Sequence, residues 1–206
     1  MKKYELTTNF KVNALGKKLF QVKALIDLKY AKAGELGGYI ESEKNLSQDD
    51  DAWVYGNAEV YGNAKVYGNA EVYGNAKVYG NALVCGDALV CGDAEVYDDA
   101  WVYGNAEVYG NAKVYGNAKV CGDAEVYGDA EVYGNDDYAT IKGFGTEFRN
   151  TTFFRCKDGE VRVSCGCFFG TIEEFREQVK ATRDGKIAQE YLKIADLMGY
   201  HFSDRH

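Results

Sequence analysis

Between Asp51 and Gly134 polar and apolar positions recur on a fixed six-residue period, [Asn/Asp]-Ala-x-Val-[Tyr/Cys]-Gly, in fourteen ungapped copies. The Ala position is Ala in every copy, from Ala52 to Ala130, and the Val position is Val in every copy, from Val54 to Val132. The Gly position departs once, at Asp98. An amphipathic helix needs a period near 3.6, so a strict six excludes one. Ala-x-Val reads instead as a short strand, with Ala and Val on one side and x on the other. Gly followed by Asn or Asp tolerates left-handed backbone and marks a turn. One strand and one turn per hexad predicts a mainly β solenoid of stacked parallel strands.

The pattern breaks at both ends, where an open solenoid would expose unpaired strand edges. Tyr4 to Val12 and Leu19 to Ile26 read as two strands around Asn13-Ala14-Leu15-Gly16, a hairpin suited to cap the first coil. Ile40 and Leu46 stand six apart and Val54 follows after eight, which implies one or two degenerate hexads and a two-residue insertion near Asp49 and Asp50. Downstream, Phe153 to Cys156 and Glu160 to Val163 flank the hairpin signal Asp158-Gly159. A turn centred there sets Cys156 opposite Val161 and Cys165 opposite Thr152. Thr171 and Glu174 form a capping box, opening a helix with Ile172, Phe175 and Val179 on one face. A second helix follows Asp184-Gly185 with Ile187, Tyr191, Ile194 and Met198 inward. The chain thus divides into a cap (1–33), a repeat region (34–137, regular over 51–134) and a C-terminal α+β module (138–206).

The repeat resembles the hexapeptide-repeat proteins that fold as left-handed parallel β-helices, in which three hexads close one triangular coil of 18 residues. Handedness and the inward packing of Val and Ala come with that resemblance. A four-sided right-handed helix is the alternative, usually built on a five-residue repeat. At ~4.8 Å per coil, fourteen hexads make about four and two-thirds coils and a rod roughly 22 Å tall. Over nearly its full length the chain also resembles a family of small proteins encoded by bacteriophages and prophages. The residues that carry this are Gly37-Gly38-Tyr39-Ile40-Glu41-Ser42-Glu43-Lys44-Asn45-Leu46, the VYGNA and VCGDA hexads, and Cys165 to Phe175. That family implies fold and context but no activity.

Stacking by 18 sorts the x position into three outward columns: Trp53, Glu71, Leu89, Glu107, Glu125; then Glu59, Lys77, Glu95, Lys113, Glu131; then Lys65, Leu83, Trp101, Lys119. The second column alternates in sign at every step, which fixes register. Leu83, Leu89, Trp101 and Trp53 stand where the repeat otherwise uses Glu or Lys, and they form the candidate partner-binding surface. Cover by the terminal segments is the competing explanation. The five tyrosines Tyr61, Tyr79, Tyr97, Tyr115 and Tyr133 fall on one face and predict an aromatic stack. Cys85 and Cys121 lie two coils apart with Tyr103 between them, too far for a disulfide, and read as small apolar fillers.

Net charge is −8, and the fourteen hexads alone hold thirteen acids and four lysines. This argues against direct grip on nucleic-acid phosphate, leaving solubility, a basic partner or imitation of a duplex. Tyr4 to Phe20 has no apolar core, so no secretory leader is expected. No stretch approaches the ~20 apolar residues of a membrane span. The six cysteines form no disulfide framework and fit a reducing cytoplasm, that of a bacterial host if the phage resemblance holds.

Hexapeptide-repeat folds are often acyltransferases, which use a histidine near a coil junction and commonly a protruding loop. Here the only histidines are His201 and His206, and no loop interrupts the hexads. A γ-type carbonic anhydrase site needs three histidines. Cys156, Cys165 and Cys167 do not converge in the expected hairpin and lack a fourth ligand. No catalytic residue, metal or cofactor is therefore expected. The favoured reading is a non-catalytic protein that binds a protein partner, with a host defence component as the partner that phage context implies. Acyltransferase chemistry is one alternative. A scaffold or homo-oligomer joined through the C-terminal helices is another.

Overall fold

The computed structural model describes residues 2–203. Each hexad contributes one two-residue strand, from β4 (Trp53–Val54) to β17 (Glu131–Val132). Each pairs in parallel with the strand 18 residues on, as in Trp53↔Glu71, Leu89↔Glu107 and Leu83↔Trp101. Three sheets result, one per column of x residues, so a coil closes after three hexads. Every repeat Val and Ala is at most 1 % exposed, which places both inside a triangular prism. Burying a valine side chain contributes roughly 1.5–3 kcal/mol before entropy is counted.

Backbone groups are satisfied between coils. In one hexad Leu89 N–H donates to Ala106 O (2.9 Å), Cys91 N–H to Val108 O (2.9 Å) and Asp93 N–H to Gly110 O (2.8 Å). The same three bonds recur up the rod, always from the lower coil to the upper. One end is therefore left with free carbonyls and the other with free amides.

The hairpin of β1 (Tyr4–Val12) and β2 (Lys18–Ala24) forms as expected. Through β3 (Leu36–Ile40) it continues the second sheet, β2 pairing antiparallel to β3, and β3 parallel to β5 (Glu59–Val60). Ile40 pairs with Val60 and Leu46 with Val66, an offset two residues longer than the repeat, which is the inferred insertion. Lys3, Tyr4 and Lys11 meet the carbonyl end. Lys3 Nζ donates to the carbonyls of Asp50 and Ala52 at 2.8 Å each. Tyr4 hydroxyl donates to Leu46 O (2.8 Å), and Lys11 Nζ to Asn57 O (2.9 Å). Buried Asn45 stands in for missing backbone, its Nδ2 donating to the carbonyls of Gly62 (3.1 Å) and Ala64 (2.9 Å).

The amide end meets acceptors. Thr152 Oγ1 accepts from Glu125 N–H, and Asn135 Oδ1 from Lys119 N–H. Asp137 Oδ2 accepts from the N–H groups of Tyr133 and Gly134. The C-terminal module is a four-stranded antiparallel sheet, β18 (Tyr138–Phe144), β19 (Arg149–Arg155), β20 (Val161–Cys165) and β21 (Phe168–Thr171), followed by α1 (Ile172–Thr182) and α2 (Gly185–Ser203). The expected hairpin is its middle pair. The outer strands escape sequence reading because one is weakly alternating and the other only four residues long. Register also differs by one: Arg155 faces Val161, and Thr151 faces Cys165. Cys156 N–H bonds Glu160 O, and Gly159 sits at φ +82°. The connection is thus a three-residue loop with a left-handed glycine rather than a two-residue turn. The capping box forms, Glu174 N–H donating to Thr171 Oγ1 (3.1 Å) and Thr171 N–H to Glu174 Oε2 (2.8 Å). Alternation along β19 sends Phe154 into the rod core and Phe153 into a second core with Phe175, Val179, Tyr191, Ile194 and Met198. Ile187 packs against that second core partly buried.

Gly92 sits at φ +70°, and an added Cβ would meet Gly110 N at 3.0 Å and O at 3.1 Å. Gly122, at φ +69°, has open space there. Gly122→Ala is expected to cost about 1–2 kcal/mol, the left-handed penalty alone, and Gly92→Ala distinctly more. Urea unfolding of the two variants measures this, and equal losses would refute stacking as the reason for the glycine.

Candidate functional site

The third face carries the column Lys65–Leu83–Trp101–Lys119, in register strand by strand. Trp101 is 41 % exposed, and Leu83 below it is half-buried. Lys119 Nζ lies 4.7 Å from the centroid of the Trp101 ring, a cation–π contact that also holds the indole flat against the sheet. At the lower end Lys44, Ser47, Lys65 and Tyr67 line a hollow of about 360 Å³. The strip is thus apolar in the middle and cationic at both ends, on a chain of net charge −8.

Leu89 also faces outward, half-buried, around the corner on the first face between Glu71 and Glu107. Trp53 does not belong to the surface. It is 1 % exposed, with the Tyr4 ring against it edge-on at 6.2 Å. The first coil must be closed against water, and Trp53 is the residue the N-terminal hairpin closes onto. Three of the four sequence candidates thus reach solvent and one is core. Tyr67, 40 % exposed beside Lys65, extends the strip. Its neighbourhood was legible only once the coil and the lead-in were placed together.

The other columns are mainly structural. In the second, Lys77 pairs with Glu95 (3.4 Å) and Lys113 with Glu131 (3.6 Å), whereas Glu59 takes Lys11 of the hairpin at 3.0 Å. The tyrosine stack holds through Tyr61, Tyr79, Tyr97 and Tyr115, with centroids 4.9–5.0 Å apart and planes within 11°. The last step breaks: Tyr133 meets Tyr115 edge-on at 63°, because the repeat ends there and Asp137 takes the Tyr133 and Gly134 amides. At the corners each asparagine below an aspartate donates to it, as in Asn69 Nδ2 to Asp87 Oδ1 (2.9 Å) and Asn105 Nδ2 to Asp123 Oδ1 (2.9 Å). On the first face Glu107 stacks on Glu125. Partial burial, with the like charge of Glu125, raises the Glu107 pKa.

The cysteines are distributed rather than clustered. Cys85, Cys91 and Cys121 are half-buried in tyrosine columns, and Cys121 Sγ lies 3.7 Å from the Tyr138 hydroxyl, so they are polar neighbours as well as fillers. Cys156 belongs to the rod core, while Cys165 and Cys167 line a pocket of about 90 Å³ with Arg149 and Tyr191. Among the described residues no group of three or more His, Cys, Asp or Glu is placed to hold a metal ion. His201 is exposed near the end of α2, and His206 lies outside the described residues. Among the described residues no helix is long and apolar enough to cross a membrane. Comparison with known protein families and with curated proteins finds no match.

Two measurements follow from this electrostatics. The raised Glu107 pKa means the folded state disfavours its carboxylate, a loss that is absent below the ordinary carboxylate pKa and grows as pH rises through the raised one. Glu107→Gln is therefore expected to raise the melting temperature at pH 7 and to change little at pH 4; a lower value at pH 7 contradicts the like-charge reading. Burial pushes the Tyr61 and Tyr97 hydroxyls up to about 12. Stability should hold below the ordinary tyrosine pKa and fall as pH climbs from about 10 to 12. An ultraviolet phenolate titration run beside circular dichroism checks this; full ionisation near pH 10 with the fold intact would contradict it.

Proposed function

We propose that the chain is a non-catalytic binding protein whose rigid β-helix presents the Leu83–Trp101 strip to a macromolecular partner. The observation that carries this reading is the exposed indole of Trp101 over Leu83, held between Lys65 and Lys119. A column of Glu and Lys would serve solubility equally well, so apolar groups at these two positions ask for another explanation. Aromatic and cationic side chains side by side are what interface hot spots use. The complementary surface is an apolar group flanked by acids. The acidic first face, with Glu71, Glu107 and Glu125, offers the opposite chemistry around the corner. The resemblance to phage-encoded proteins supplies a context: the partner is a component of a bacterial defence system, which binding inhibits in the host cytoplasm.

A second reading, self-assembly through the C-terminal helices, has one observation in its favour. Leu197 and Tyr200 of α2 are 57 % and 76 % exposed one turn apart, whereas the inward positions are consumed by the module's own core. An acyltransferase reading finds its support only in the repeat. An acetyl-CoA titration that gives binding heat would revive it.

Capture from bacterial lysate, with the chain immobilised, compares the wild type with Leu83→Glu and Trp101→Ala. Both positions face outward, so both variants should keep the wild-type circular dichroism spectrum. Loss of the same captured protein by at least tenfold in both is the expected result. Undiminished recovery in both removes the strip from the proposal. A light-scattering mass above one chain that drops with Leu197→Glu would favour assembly instead.

A further inference from the structure

The seam where the rod meets the C-terminal sheet encloses a pocket of about 320 Å³, lined by Gly128, Asp129, Cys156, Lys157, Arg162 and Phe169 among others. The volume is at the lower end of those that hold small organic ligands. Its wall is aromatic: Phe169 is 44 % exposed and packs against Tyr127 (centroids 4.7 Å) and Phe154 (6.2 Å). Gly128 makes this possible, since a Cβ there would stand 3.0 Å from the tip of the Phe169 ring.

Its polar groups are unevenly satisfied. Arg162 Nη2 donates to Asp158 Oδ2 at 2.6 Å, but Nη1 is buried and has no partner among the described residues. A buried donor left unpaired costs about 1–3 kcal/mol and calls for an acceptor. Lys157 is fixed by its backbone, N–H to Asp129 O at 3.1 Å, and its amine makes no ion pair among the described residues. The acids nearby are engaged: Asp129 accepts from Asn111, Asp158 also accepts from Glu160 N–H, and Glu174, within the field of Arg162, caps α1. Burial pushes the Cys156 thiol up to about 11, so this wall of the pocket carries no thiolate charge at neutral pH.

We propose that this seam is a binding site for a small planar organic anion, with its oxyanion on Arg162 and Lys157 and its unsaturated ring against Phe169. A carboxylate and a phosphate monoester share the chemistry, since either presents oxygens that accept charge-assisted hydrogen bonds from a guanidinium and an ammonium. The site is separate from the third-face strip and does not depend on it.

Benzoate, phenyl phosphate, cyclohexanecarboxylate and inorganic phosphate are titrated into the full chain and followed by amide chemical shifts. Saturable shifts at Gly128, Lys157 and Phe169 with benzoate or phenyl phosphate are expected, and whichever binds more tightly identifies the anion. Cyclohexanecarboxylate and inorganic phosphate should bind at least threefold more weakly. Arg162→Gln should weaken binding about tenfold or more, the scale of one charge-assisted hydrogen bond. Because that variant also frees Asp158, Lys157→Ala, at an exposed side chain, serves as the independent check and should weaken binding at least threefold. No saturable shift with either aromatic anion, equal binding of the saturated ring, or unchanged affinity in the folded Lys157→Ala variant would each overturn the proposal.

Discussion

Everything in this molecule depends on hydrogen bonds that all run one way. Each coil donates upward from the x, Tyr/Cys and Asn/Asp amides to the Ala, Val and Gly carbonyls of the next, so the rod has an acceptor end and a donor end. The two ends need caps of opposite chemistry. Lys3, Lys11 and the Tyr4 hydroxyl answer the carbonyls, while Thr152, Asn135 and Asp137 answer the amides. The same polarity accounts for part of the charge gradient along the chain. Lysines crowd the N-terminal hairpin, and acids thicken from Asp123 to Asp137, beside the end where free N–H groups favour negative charge.

Closure at 18 residues also turns one-dimensional repetition into a surface with columns. Position in a column decides what a substitution means. Every corner aspartate of the hexads at 87, 93, 99, 123 and 129 stands directly above an asparagine, whose amide donates to it. No corner carboxylate sits over another, so the charge that keeps the rod soluble is introduced without like-charge stacking. Glu107 over Glu125 is the exception on a flat face. Against this regularity the Leu83–Trp101 pair is conspicuous because the same positions elsewhere are filled by Glu or Lys. A stiff repeat gives such a pair a fixed spacing and orientation, which lowers the ordering cost of any contact it makes.

The C-terminal module is joined to the rod by a strand that serves two cores. Alternate residues of β19 face opposite ways, Phe154 into the rod and Phe153 toward α1 and α2. Ala130 bridges to Cys156, and Lys157 N–H reaches Asp129 O. A junction assembled from a coil corner, a hairpin loop and two strands packs less completely than either core. That is where the larger aromatic-walled pocket and the unpartnered Arg162 nitrogen lie.

The six-residue period by itself determined the parallel strands, the inward Val and Ala, the glycine turns and the outward columns, because strand alternation and left-handed turn preference are local properties. The two-residue insertion after Leu46 and the capping box at Thr171 were legible for the same reason. Only tertiary structure decided that Trp53 is core rather than surface, since its burial depends on a hairpin some forty residues earlier in the chain. It also set the register of the β19–β20 hairpin, which a left-handed Gly159 moved by one residue, and the edge strands β18 and β21, whose pairing is supplied by neighbours. Residues repeated in identical surroundings announce their roles in sequence; those at the ends take their roles from whatever folds over them.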